Sequence, residues 1–77
     1  MERLELLEVN ADKVSYKYFP EHENEFGVVS VNRKTGERKI EKLFDDYGKS
    51  YAWHACRELE RYIANGNFPV NGGVAWY

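Results

Sequence analysis

The sequence predicts an α+β fold: an antiparallel meander of three to four strands packed by one helix, with a short C-terminal strand. Three observations carry this. Only the stretch Gly48 to Asn65 shows a helical period of apolar residues. The segments before it alternate with a period of two. Turn residues divide those segments at short intervals.

The helix, 48–65, comes first because the strands need its apolar face. At about 100° per residue, Tyr51, Ala52, Ala55, Cys56, Leu59, Tyr62 and Ile63 share one side. His54, Arg57, Glu58 and Arg61 fall opposite, with Trp53 and Glu60 on a flank between. Asp45 and Asp46 precede it and offer carboxylates to its open N–H groups. Gly66 is placed for a left-handed cap, and Pro69 stops continuation. A helix of this length is marginal alone in water, so burial of the apolar stripe must hold it.

The first strand covers Leu4 to Val9, where adjacent Leu6 and Leu7 break the alternation and call for a bulge. A short helix over 3–9 is the alternative, since Leu and Glu favour helices. The turn Asn10-Ala11-Asp12 favours the strand. Lys13 to Phe19 alternates cleanly, with Val14, Tyr16 and Tyr18 on one face and Ser15 and Lys17 on the other. Pro20 ends pairing, and an acidic connection leads to a third strand, Phe26 to Asn32, whose valines suit a central position. Gly36 closes a hairpin at positive φ, and Arg38 to Phe44 forms the fourth strand with Ile40 inward. Val74, Ala75, Trp76 and Tyr77 are too apolar for a solvated tail and are expected to add an edge strand or pack on the sheet.

Composition bounds the function. Seventy-seven residues make one small domain, 1–77, and six Tyr, four Phe and two Trp supply large buried area in a short chain. A net charge of −2 gives no global field to draw nucleic acid or an acidic membrane. One cysteine excludes an internal disulfide and suits a reducing cytoplasm. No apolar run approaches a membrane span of about 20 residues, and MERLELLEV lacks the build of a signal peptide. The expected protein is soluble and cytoplasmic.

Chemistry-bearing patterns are few. His54 and Cys56 lie two apart, so on a helix their side chains diverge by about 200° and cannot share a metal ion. Cys56 reads as a small buried hydrophobe. His54 with Glu58 has the spacing of an acid–base pair, but no nucleophile stands beside it, and Gly72-Gly73 precedes a strand rather than a helix. No catalytic residue, metal site or cofactor is expected.

Two surfaces remain. The hairpin 33–42 is locally basic: Arg33, Lys34, Arg38, Lys39 and Lys42 stand against Glu37 and Glu41. With Tyr16 and Tyr18 as stacking platforms it could hold single-stranded nucleic acid weakly. Opposing this, the chain up to Glu25 has seven acids against three bases. The second surface is aromatic. Trp53, Trp76 and Tyr77 exceed what a one-helix core needs and are the expected anchors for a protein partner or a second copy of the chain.

Five motifs carry a resemblance: Tyr16-Lys17-Tyr18-Phe19-Pro20-Glu21, Gly27-Val28-Val29-Ser30, Lys34-Thr35-Gly36-Glu37, Tyr51-Ala52-Trp53-His54-Ala55 and Ala75-Trp76-Tyr77. From Tyr16 onward the chain resembles a group of small bacterial proteins of Firmicute type. The likeness implies the β-meander plus one helix; no activity is attached to the group, so it transfers no functional residue. The sequence thus predicts a non-enzymatic interaction or accessory module, with homodimerisation as one form of contact and weak nucleic-acid binding as the alternative.

Overall fold

The computed structural model describes residues 2–20, 25–44 and 49–74. Five strands form one antiparallel sheet: β1 (Glu2–Val9), β2 (Lys13–Phe19), β3 (Gly27–Asn32), β4 (Arg38–Lys42) and β5 (Asn71–Val74), in the order β4-β3-β2-β1-β5. The helix α1 (Ser50–Asn65) crosses one face, chiefly over β3 and β2. The first four strands are a meander, and β5 returns to the outside of β1. The predicted fold class is the one observed.

Two asparagines shape the same end of the sheet. Asn10 Oδ1 accepts from the N–H groups of Asp12 (2.8 Å) and Lys13 (2.9 Å), and Asn32 Oδ1 accepts from those of Lys34 (2.8 Å) and Thr35 (2.9 Å). Each side chain thus mimics a backbone turn and starts its hairpin. Gly36 takes φ 77° after the second of these. The predicted bulge in β1 lies between Leu6 and Glu8: Leu6 pairs with Tyr16, Glu8 with Ser15 and Val9 with Val14, while Leu7 has no cross-strand partner and is 47% exposed.

The core lies between α1 and the sheet. Leu4, Val14, Tyr16, Tyr18, Val29 and Val31 meet Ala52, Ala55, Cys56, Leu59 and Tyr62 there. These are alternate strand positions and one helical stripe, as the two periods require. Tyr51 and Ile63 are half-buried at the margins of that stripe. Tyr16 Oη donates to the carbonyl of Pro69 (2.6 Å), and the Tyr18 hydroxyl accepts from the Phe44 N–H (3.0 Å). Both phenols so satisfy a polar end inside an apolar layer.

The helix ends as the sequence predicts. Gly66 adopts φ 69°, ψ 22°, its N–H donates to Ile63 O, and the Asn67 N–H donates to Tyr62 O, both at 3.2 Å. That is a Schellman cap, and it satisfies two end carbonyls. The start differs. Its N-cap is Lys49, which offers no side-chain bond, and no acid occupies the first turn. Asp45 and Asp46 lie outside the described residues, so their expected capping role does too.

Other boundaries shift for physical reasons. β4 stops at Lys42, because Phe44 turns into the core instead of extending the ladder. β5 begins at Asn71, earlier than the apolar tail implied, because Gly72 lets the chain run close under α1. Trp76 and Tyr77 lie outside the described residues.

Candidate functional site

α1 projects a second stripe at its β4 side. Ser50, Trp53, His54 and Arg57 recur at the helical spacing of three and four, and face Arg38 of β4 across a concavity of about 330 Å³. Trp53 is 40% exposed, so it belongs to the surface and not to the core. His54 is half-buried in the same wall.

Arg38 forms the opposite wall and is locked in place. Its Nε reaches Glu60 Oε2 at 2.9 Å and its Nη2 reaches Glu60 Oε1 at 2.7 Å, a two-pronged pair between β4 and the helix. This hydrogen-bonded guanidinium holds the Glu60 carboxyl below its ordinary range. Arg57, by contrast, is exposed and makes no ion pair or hydrogen bond among the described residues. The concavity therefore offers one aromatic ring and one uncommitted guanidinium on a rigid frame, which suits an acidic or aromatic group better than a neutral one.

Glu58 takes a different part from the one its helical position implied. Its Oε1 accepts from Arg61 Nη1 at 3.0 Å and its side chain is only 13% exposed, so the solvent-facing His54–Glu58 reading gives way to a Glu58–Arg61 pair. Cys56 is fully buried, and burial pushes its thiol up to about 11. His54 and Cys56 stand on opposite sides of α1, as their spacing demands.

The nucleic-acid reading loses its stacking platforms. Tyr16 and Tyr18 are fully buried beneath α1, which corrects their assignment as base-stacking rings. The five hairpin cations are engaged within the fold. Arg33 Nη1 donates to Asn10 O (2.7 Å) and its guanidinium lies 5.0 Å from the Phe68 ring. Lys34 pairs with Asp12 (3.1 Å), Lys39 with Glu41 (3.2 Å) and Arg38 with Glu60. Lys42 sits 4.3 Å from the centre of the Phe26 ring.

Away from α1 the sheet carries charge over aromatics. Phe19 and Phe26 meet at 5.5 Å, with Arg3 4.3 Å over Phe19 and Lys17 4.6 Å over Phe26. Glu41 bridges Lys13 (3.7 Å) and Lys39. Long side chains thus cover Ser15 and Ser30, which are buried on that face.

Of the residues singled out in the sequence, Trp53, His54 and Arg38 line this surface concavity. The sequence reading missed Ser50 and Arg57 as their companions, although Ser50-x-x-Trp53-His54-x-x-Arg57 shows the helical spacing directly. Arg38 joins them because Arg38 and Ile40 share parity and hence a face. No family model, curated protein or solved structure matches the chain. Among the described residues, no helix is long and apolar enough to cross a membrane.

Proposed function

We propose that this protein is a non-enzymatic interaction or accessory module of the cytoplasm that contacts a protein partner through the β4 flank of α1. One observation carries the reading. Trp53 stands out from a rigid helix beside a concavity that also holds the uncommitted Arg57. Large rings on fixed elements are the usual anchors of protein contacts, because little side-chain entropy is lost when they are covered. Trp76 and Tyr77, the other expected anchors, extend the same proposal to the C-terminal end of the chain.

The test is a paired capture. Wild-type protein and a Trp53→Glu variant, confirmed folded by circular dichroism, are used as baits on cell lysate, and eluates are assayed for protein and nucleic acid. A protein held by the wild type and lost by the variant supports the reading. Equal capture by both baits sinks it. Nucleic acid retained by both and released by salt would move the function to the basic hairpin instead.

A further inference from the structure

The β4 edge and the concavity are adjacent, and their combination defines a partner more narrowly. β4 is the outer strand of the described sheet. The Asn32 N–H donates to Glu37 O (2.8 Å), which fixes the alternation of the β3–β4 ladder. Ser30 and Lys39 then exchange hydrogen bonds, while the backbone N–H and C=O groups of Arg38 and Ile40 point to the open edge. An extended segment laid there would bond to these groups at a strand spacing of about 4.8 Å. Alternate side chains of that segment would enter the concavity walled by Trp53, His54 and Arg57.

Charge selects the occupant. At the concavity Arg38 is committed to Glu60, and the charge left over is that of Arg57. A second copy of the chain fits poorly: paired antiparallel about Ile40 it sets Lys39 opposite Glu41, but its β4 presents Arg38 and Ile40 on the α1 face and so brings no carboxylate to Arg57. A basic or neutral segment gains nothing from Arg57. We infer that this edge takes an extended acidic segment of a partner protein, added as a further strand beside β4, with a carboxylate on Arg57 and an apolar side chain against Trp53. This rests on the interaction role proposed above and names the chemistry of the partner at the same site.

The test uses fluorescein-labelled octapeptides and the full chain, read by fluorescence anisotropy. The Val-Glu probe repeats Val-Thr-Glu-Thr, which puts Val and Glu on one face of the strand, and the Val-Lys comparator has Lys in place of Glu. The Val-Glu peptide is expected to bind and the Val-Lys peptide to fail. Arg57→Glu or Trp53→Ala, both exposed changes that leave the core untouched, are expected to weaken Val-Glu binding by about tenfold each. Methylating the amide nitrogens of one alternate set should abolish binding, while methylating the other set should preserve it, because only one set faces β4. Absent binding of Val-Glu, equal binding of both peptides, or tolerance of methylation on both sets overturns the inference. So does a dimer in sedimentation velocity that Ile40→Pro abolishes. If the peptides fail while a lysate protein is still captured in a Trp53-dependent way, the interaction role stands and strand addition falls.

Discussion

The hydroxyl of Tyr62 occupies the space where a β-carbon at Gly72 would stand. The helix and the edge strand β5 touch at that point, so the closeness of α1 to β5 depends on glycine. Gly72→Ala is expected to cost about 1–3 kcal/mol through overpacking. Tyr62→Phe removes the obstructing oxygen, and the next ring atom, Cζ, lies 3.4 Å from the added carbon, an accommodating distance. The double variant should recover most of the loss. Urea denaturation of the four proteins in this cycle checks the prediction; additive losses would refute it.

Tyr16 makes stability sensitive to alkali. Burial, with the neighbouring Tyr62 adding to it, pushes the Tyr16 phenol up to about 12 from an ordinary 10.0. A group raised in the folded state gives stability that is complete below the unfolded value and fades as pH climbs through the folded one. The contribution, about 3 kcal/mol, should therefore be present below pH 10 and vanish towards pH 12. Tyr16→Phe should lower stability by about 1 kcal/mol at neutral pH, where the hydrogen bond to Pro69 is lost. Across the alkaline window its denaturation midpoint should fall less steeply than that of the wild type.

The thiol of Cys56 is expected to be inert in the native protein. It is fully buried and its ionisation is pushed up to about 11, so almost no accessible thiolate exists at pH 8. Reaction with a disulfide reagent should be slower than in the denatured chain by about a hundredfold or more, limited by opening of the helix–sheet layer. Comparable rates in the two states would show that the α1 packing is looser than described.

The Arg38–Glu60 pair contributes on the acid side. Arg38 depresses the Glu60 carboxyl, so its stabilisation is present at neutral pH and is lost as pH falls through the folded value. Both side chains are about one third exposed, which limits the pair to at most about 1 kcal/mol at low salt. Glu60→Gln should thus cost a small amount at pH 7 and nothing once Glu60 is protonated. Thermal melts of both proteins at neutral and strongly acid pH decide this.

Much of the fold was legible because local and global demands agree. The 16-residue helix, its Gly66 cap and the clean alternation of β2 all express one period each. What stayed hidden depends on distant partners. Alternation separates Tyr16 and Tyr18 from Ser15 and Lys17, yet charge and ring content left both faces open to a partner. The Tyr16–Pro69 bond, which marks the covered face, spans 53 positions. The early start of β5 at Asn71 stayed hidden because the need for glycine at position 72 comes from Tyr62, on another element. The candidate site was half legible. Trp53 and its helical companions are local, whereas Arg38 joins them only because Glu60 draws it across the gap.

The faces of a strand are kept by counting, and β1 counts with one residue to spare. Were it regular, Glu8 would follow Leu4 and Leu6 inward and Val9 would point away. Leu7 breaks the odd–even sequence, so Glu8 stands opposite Ser15 and Val9 opposite Val14. Losing Leu7 would leave every other pairing where it is. Losing Leu4 would exchange the two sides of everything before it. The first hairpin can therefore shorten by one residue at a single place without inverting the sheet, and length variation in this protein has that one neutral position in β1.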